Sequence, residues 1–190
     1  MVIKTIYALI GATGTGKSTL GNHLYCKYNI PKVVSYTTKK RRSDEVEDVD
    51  YYYVDDGYFD KLNKIEEVTR EDGVRYSFAE ESFDDVLRYS DECYVIIDRN
   101  GLGKIKKVFD NIITIFVYST PDEVRCRLKE RSRDPEEYKR AVKRLSHDLT
   151  LDEFDNLDIA DYVVVNNNNR LDEALEQLDK YVEIERNKHN

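Results

Sequence analysis

The sequence predicts an α/β protein in three layers, with a central parallel sheet of five strands between two helical layers and a small inserted subdomain. Three observations support that class. Five short apolar, β-branched runs recur along the 190 residues, each a near-continuous block of the kind a parallel strand buried on both faces requires. Helix-like stretches separate most of them, as parallel connections demand. The alternation breaks only between about residues 39 and 78, and no linker or internal repeat interrupts the remainder.

The elements follow in order. "VIKTIYALI" (2–10) reads as a buried strand, followed by a helix from Lys17 to about Tyr28 that ends near "NIP". "KVVSYTT" (32–38) is the second strand. The segment "KKRRSDEVEDVDYYYVDDGYFD" has a basic quartet, then acidic and tyrosine-rich stretches without helical periodicity. "IEEVTREDGVRYSF" (65–78) resembles a hairpin turning at Asp72-Gly73. A helix over 79–90 places Phe83, Val86 and Leu87 on one face. "CYVIID" (93–98) and "NIITIFVYS" (111–119) are strands flanking a short helix around 102–109. Residues 120–149 form two helical stretches, with Thr120 as a cap, Pro121 in the first turn, and "RSRDP" between them. "ADYVVVNNNN" is the fifth strand with a polar end, and the spacing of Leu171, Ala174, Leu175, Leu178 and Val182 marks a closing amphipathic helix.

Between the first strand and first helix, Gly11-Ala12-Thr13-Gly14-Thr15-Gly16-Lys17-Ser18 satisfies G-x-x-x-x-G-K-[ST] in full. Such glycines let main-chain N–H groups close around phosphate oxygens, and the following helix points its positive end at the same place. Lys17 is expected to reach the β- and γ-phosphates of ATP, and Ser18, followed by Thr19, to bind Mg²⁺. The chain carries 38 acidic residues against 30 basic, a formal net charge of −8. That balance disfavours nucleic-acid binding but not a phosphate held by backbone dipoles and one lysine. No apolar run approaches the roughly 20 residues of a membrane span. The N-terminus lacks a secretory cleavage site, and the three widely spaced cysteines suit neither a disulfide framework nor zinc. Together these predict a cytoplasmic protein.

A phosphate loop alone does not name the reaction. A GTPase would need an Asn-Lys-x-Asp base-reading motif, which the asparagine run lacks. The segment "SYTTKKRRSDEVEDVDYYYV" (35–54) is similar to the guanylate kinase family in Ser35, Thr37-Thr38, a basic residue at 39, Arg42, Glu45-Val46 and Asp50-Tyr51. The likeness continues through Glu67, Gly73, Tyr76, "IIDRNG" (96–101), Arg131, Arg144 and "DYVVVNN", and so covers nearly the whole chain.

This resemblance implies one P-loop NTPase domain over 1–190. Its core would be 1–35, 91–126 and 150–190, its GMP-binding insertion about 36–90, and its helical lid about 127–149. It implies that Lys39, Arg42, Tyr51 and Tyr76 hold the phosphate of GMP, that Ser35 and Glu67 face the guanine edge, and that Asp98 lies by Mg²⁺ or substrate. Arg131 and Arg144 would be lid arginines, and Asn166 would border the adenine. A carboxylate can accept from the guanine N1–H and amino group, and tyrosine hydroxyls can donate without adding charge. Four departures lie on the acceptor side: Lys39 where the family has Arg, Arg41 and Asp44 where it favours Pro and Gly, Ile96 where it has an acid, and Ser77-Phe78 where it has Gly-[Ser/Thr]. The reading is a kinase moving the γ-phosphoryl of ATP·Mg²⁺ to GMP or dGMP. The alternatives are another nucleotide or a small phosphorylated acceptor, and an inactive binding module of the same fold.

Overall fold

The computed structural model describes residues 4–41, 45–70, 73–150, 153–167 and 170–188. The chain runs β1 (Thr5–Ile10), α1 (Lys17–Tyr28), β2 (Tyr36–Thr37), β3 (Tyr52–Tyr53), α2 (Asp56–Phe59), β4 (Val68–Thr69), β5 (Arg75–Ser77), α3 (Glu80–Leu87) and β6 (Glu92–Ile96). It continues through α4 (Arg99–Ile105), β7 (Ile112–Tyr118), α5 (Pro121–Arg131), α6 (Pro135–Thr150), α7 (Glu153–Ile159), β8 (Tyr162–Val165) and α8 (Leu171–Lys188). Arg42, Asp44 and Asp72 lie outside the described residues.

The main sheet has the order β6-β1-β7-β8, and every neighbouring pair is parallel. It holds four strands rather than the expected five, because the 32–38 run is divided. Around Lys32 it pairs with β6, where the Val33 amide donates to the Tyr94 carbonyl (2.8 Å) and the Tyr94 amide to that of Pro31 (2.9 Å). Tyr36 and Thr37 then leave for a second sheet of order β3-β2-β5-β4.

All six residues of β1 are buried, which explains their continuous apolar pattern. One face packs Tyr7 and Leu9 against Leu20 and Leu24 of α1 and Ala174, Leu178 and Val182 of α8. The other packs Ile6, Ala8 and Ile10 against Phe83 of α3 and Leu102 and Ile105 of α4. These are the three layers. A smaller cluster joins Ala12 of the phosphate loop to Val124 and Leu128 of α5 and Leu145 of α6, so the second helix of the 120–149 region rests on the loop itself.

Two helix starts differ from the sequence expectation. Helix α4 begins at Arg99, several residues early, because the Asp98 carboxylate accepts from the Gly101 amide (2.8 Å) and caps it. Thr120 occupies the cap position of α5 with Pro121 in the first turn, but its side chain makes no capping bond.

Candidate active site

The loop after β1 is folded for phosphate. Gly16 has φ 101, in the left-handed region, and a Cβ there would run into the Asn166 side-chain amide, so glycine is required on both counts. Asn166 is buried behind the loop and donates from Nδ2 to the Thr15 carbonyl (2.8 Å). Arg127 holds the Asn166 carbonyl in turn (2.9 Å). Lys17 Nζ donates to the carbonyls of Gly11 (2.8 Å) and Ala12 (2.7 Å), curled over its own loop. Burial pulls its ammonium down to about 8; Arg144 and Arg131 push the same way, and Asp148 opposes them. Ser18 and Thr19 are exposed on the first turn of α1.

Helix α6 supplies the charges facing this loop. Arg144 is exposed, as is Arg131 at the end of α5, and neither forms an ion pair among the described residues. One helical turn beyond Arg144, Asp148 Oδ2 accepts from the Thr13 amide (2.8 Å), so a carboxylate occupies one donor of the phosphate loop. Asp98 follows β6 by two residues and caps α4. Since Leu9 pairs with Ile96, Asp98 stands level with Gly11 at the same sheet edge.

The second sheet presents one face of matching side chains. Thr37 pairs with Tyr53 and with Tyr76, and Tyr76 with Val68, placing these four together. The Tyr51 ring lies edge-on to Tyr76 (centroids 5.6 Å apart) and close to Tyr53 (5.9 Å). Lys39 Nζ sits 5.3 Å over the Tyr51 ring and is paired with Glu45, whose other oxygen accepts from the Tyr53 hydroxyl (2.9 Å). The Arg70 guanidinium lies 4.2 Å over the Tyr76 ring. Burial raises the Tyr51 hydroxyl, as does Tyr76, while Arg70 and Arg144 lower it.

The hairpin carries an irregularity with consequences for its carboxylates. Lys64 bridges Ala79 and Val68 pairs with Tyr76, so four steps on one strand face three on the other, a β-bulge. Glu66 is buried (8% exposed). Its carboxyl lies against Gly101, where a Cβ would strike it, and Oε2 has no hydrogen-bond partner among the described residues. Burial and then Asp98 push this carboxyl up to about 7, with Lys104 opposing. A cleft of about 730 Å³ opens here between the β4 edge and α4, with Glu66, Arg99, Asn100 and Lys104 on its walls. Glu67 is exposed on the sheet surface, bound to Arg75 Nε (2.8 Å) and Lys64 (3.3 Å), which hold it below the usual carboxylate range.

The candidate site thus combines a glycine-rich loop with a buried lysine, two exposed arginines whose charge bears on that lysine, and a tyrosine-rich face of the second sheet. Residues 3–185 match the family model described as guanylate kinase. The chain belongs to the guanylate kinase family. It is 30% identical to a guanylate kinase of Rickettsia prowazekii over 97% of this chain and 93% of that protein. It is 31% identical to one of Rickettsia felis over 99% of each. The crystal structure of guanylate kinase from Anaplasma phagocytophilum superposes with TM-score 0.63 at 25% identity, covering 100% of this chain and 88% of that one.

Within this guanylate kinase family member, the structure gathers Lys17, Arg131 and Arg144 around the loop, and Lys39, Tyr51 and Tyr76 on the acceptor face. Ser35 precedes that face and accepts through its carbonyl from the Tyr52 amide (3.0 Å). Arg42 falls outside the described residues. Glu67 is not brought in; Glu66 takes the buried place beside Asp98. Asn166 binds the loop's backbone rather than opening toward a nucleotide edge. Sequence reasoning missed Glu66, Arg70 and Asp148. Only Asp148 carried a signal, its i, i+4 spacing from Arg144 on a helix that contacts the loop.

Proposed function

We propose that this chain transfers the γ-phosphoryl of ATP to GMP or dGMP, giving ADP and GDP or dGDP. The observation that carries this reading is the position of Arg144. It stands on α6 next to Leu145, which packs on Ala12 of the loop, and one turn before Asp148, which bonds the Thr13 amide; its charge bears on Lys17 and on Tyr51, and no ion pair among the described residues neutralises it. A guanidinium within reach of both is placed to stabilise charge developing between donor and acceptor. The acceptor is already a phosphate oxygen, so alignment and charge stabilisation suffice without a covalent intermediate.

In this reading residues 11–19 hold the ATP phosphates, with Asn166 supporting the loop. Residues 36–90 form the acceptor subdomain and 127–149 the lid. Mg²⁺ takes one or two protein oxygens and completes its shell with phosphates and water. The exposed Ser18 hydroxyl suits that role, with Asp98 at the adjacent strand end. The ion would neutralise phosphate charge when bound. Tyr51, Tyr76, Lys39 and Arg42 would hold the GMP phosphate and Ser35 one edge of the base. Glu67, the carboxylate the resemblance assigns to guanine, would leave Arg75 and Lys64 to accept from the base. Among the described residues no helix is long and apolar enough to cross a membrane, and we place the protein in the cytoplasm.

A second acceptor base is favoured by one observation. The Ser77 hydroxyl donates to the Glu66 carbonyl, and Phe78 is buried, so neither reads a base. A coupled ADP-release assay over GMP, dGMP, AMP, CMP, UMP and TMP tests both readings. Turnover confined to GMP and dGMP is expected; turnover on another base would move the specificity and keep the kinase. Arg144→Ala should lower kcat by at least about a hundredfold with the fold intact. Near-normal turnover would remove Arg144 from the transfer step.

A further inference from the structure

Resting on the kinase reading above, we propose that Arg70 is a phosphate clamp for the acceptor, supplying the guanidinium fork that position 39 lacks. At position 39 a lysine provides a point charge, which cannot grip two phosphate oxygens in one plane as an arginine does. In this structure Lys39 is also committed to Glu45. Arg70 stands on the other side of the two tyrosines that line the acceptor face. Its guanidinium lies over the Tyr76 ring, and its charge reaches the Tyr51 hydroxyl together with that of Arg144.

The backbone holds Arg70 in that place. Its amide donates to the Val74 carbonyl (2.9 Å), and its carbonyl accepts from the Gly73 amide (2.9 Å), across the hairpin turn. Two residues beyond Val68, it projects to the face that Val68 shares with Tyr76. Stacking on Tyr76 restricts the side chain, so less freedom is lost when the fork closes on a ligand. Arg75, the other arginine of the hairpin, lies on the other side of the sheet from Tyr76. It pairs with Thr69 on the opposite face and is tied to Glu67 (2.8 Å) and Asp60 (2.8 Å). Tyr51, Tyr76 and Arg70 therefore meet at one place, with the charge of Arg144 bearing on the Tyr51 hydroxyl, a donor set for a dianionic phosphomonoester.

The test compares wild type, Arg70→Met and Arg70→Lys in the coupled assay. Guanosine serves as an inhibitor that shares the base and lacks the phosphate. In Arg70→Met the KM for GMP should rise between about tenfold and a hundredfold, the loss of one charge-assisted phosphate contact. The KM for ATP and the guanosine inhibition constant should stay within about twofold. Arg70→Lys should fall between wild type and Arg70→Met, because a point charge recovers attraction but not the fork. An unchanged KM for GMP in Arg70→Met would overturn the assignment. So would a parallel loss of GMP and guanosine binding, which would make Arg70 a prop for Tyr76. A wild-type protein that turns over ATP with no GMP dependence would overturn the acceptor reading itself, before any variant is compared.

Discussion

Glu66 has a carboxyl oxygen buried beside the backbone of Gly101 with no hydrogen bond among the described residues to satisfy it. Charging such a group costs the fold, and the sign of the effect is set by the raised pKa. Stability is fully present below the ordinary value of 4.5 and is lost as pH rises through about 7. A shift of that size corresponds to on the order of 3 kcal/mol. Replacing Glu66 by Gln keeps the shape and removes the charge. The variant should gain melting temperature over wild type at pH 8 and gain little near pH 4, in paired thermal scans. Equal melting temperatures at both pH values would mean that the carboxyl is hydrated. The residue escaped sequence reading for a local reason. Glu67 precedes Tyr76 by the spacing the family leads one to expect, and only the bulge between Lys64 and Val68 turns Glu66 inward and Glu67 out. A one-residue bulge leaves no mark in hydrophobic alternation when both candidates are glutamates.

Elements behave more predictably than single side chains where their signals are local. The strand, glycine turn and helix of residues 5–28 could be read directly, because each glycine and the lysine act within a few residues of one another. The end of β8 could not be read so well, because its role depends on a partner over a hundred residues away. Asn166, expected to border the adenine, here bonds Thr15 and fills the space above Gly16. Asn166→Ala would leave the Thr15 carbonyl unpaired in a buried site, at about 1–3 kcal/mol. The expected outcome is a lower melting temperature together with a raised KM for ATP, while the KM for GMP moves little. A variant that loses ATP binding without losing stability would restore the direct contact. The division of residues 32–38 between two sheets was equally hidden: Val33 and Val34 are as apolar as any core strand, and nothing in them marks where the chain departs.

At the scale of the molecule, the layered core was legible because burial on both faces of a parallel sheet writes itself into apolar runs. How the second sheet and α6 would meet the phosphate loop was not legible, since those contacts join side chains remote in sequence. Among them the bond from the Thr13 amide to Asp148 bears on how ATP arrives. A loop built to hold negative charge already holds one, supplied by the helix that also carries Arg144. On the proposed kinase reading, a phosphate oxygen that took the Thr13 donor would first have to displace this carboxylate. Asp148→Asn should bind ATP about tenfold more tightly by calorimetry, and weaker binding would identify the carboxylate as an ally of the nucleotide. Small monoanions compete poorly with a tethered carboxylate, whereas a triphosphate brings several charges to the same helix end. The chain's own acid thereby acts as a threshold that screens the contents of the loop before chemistry begins.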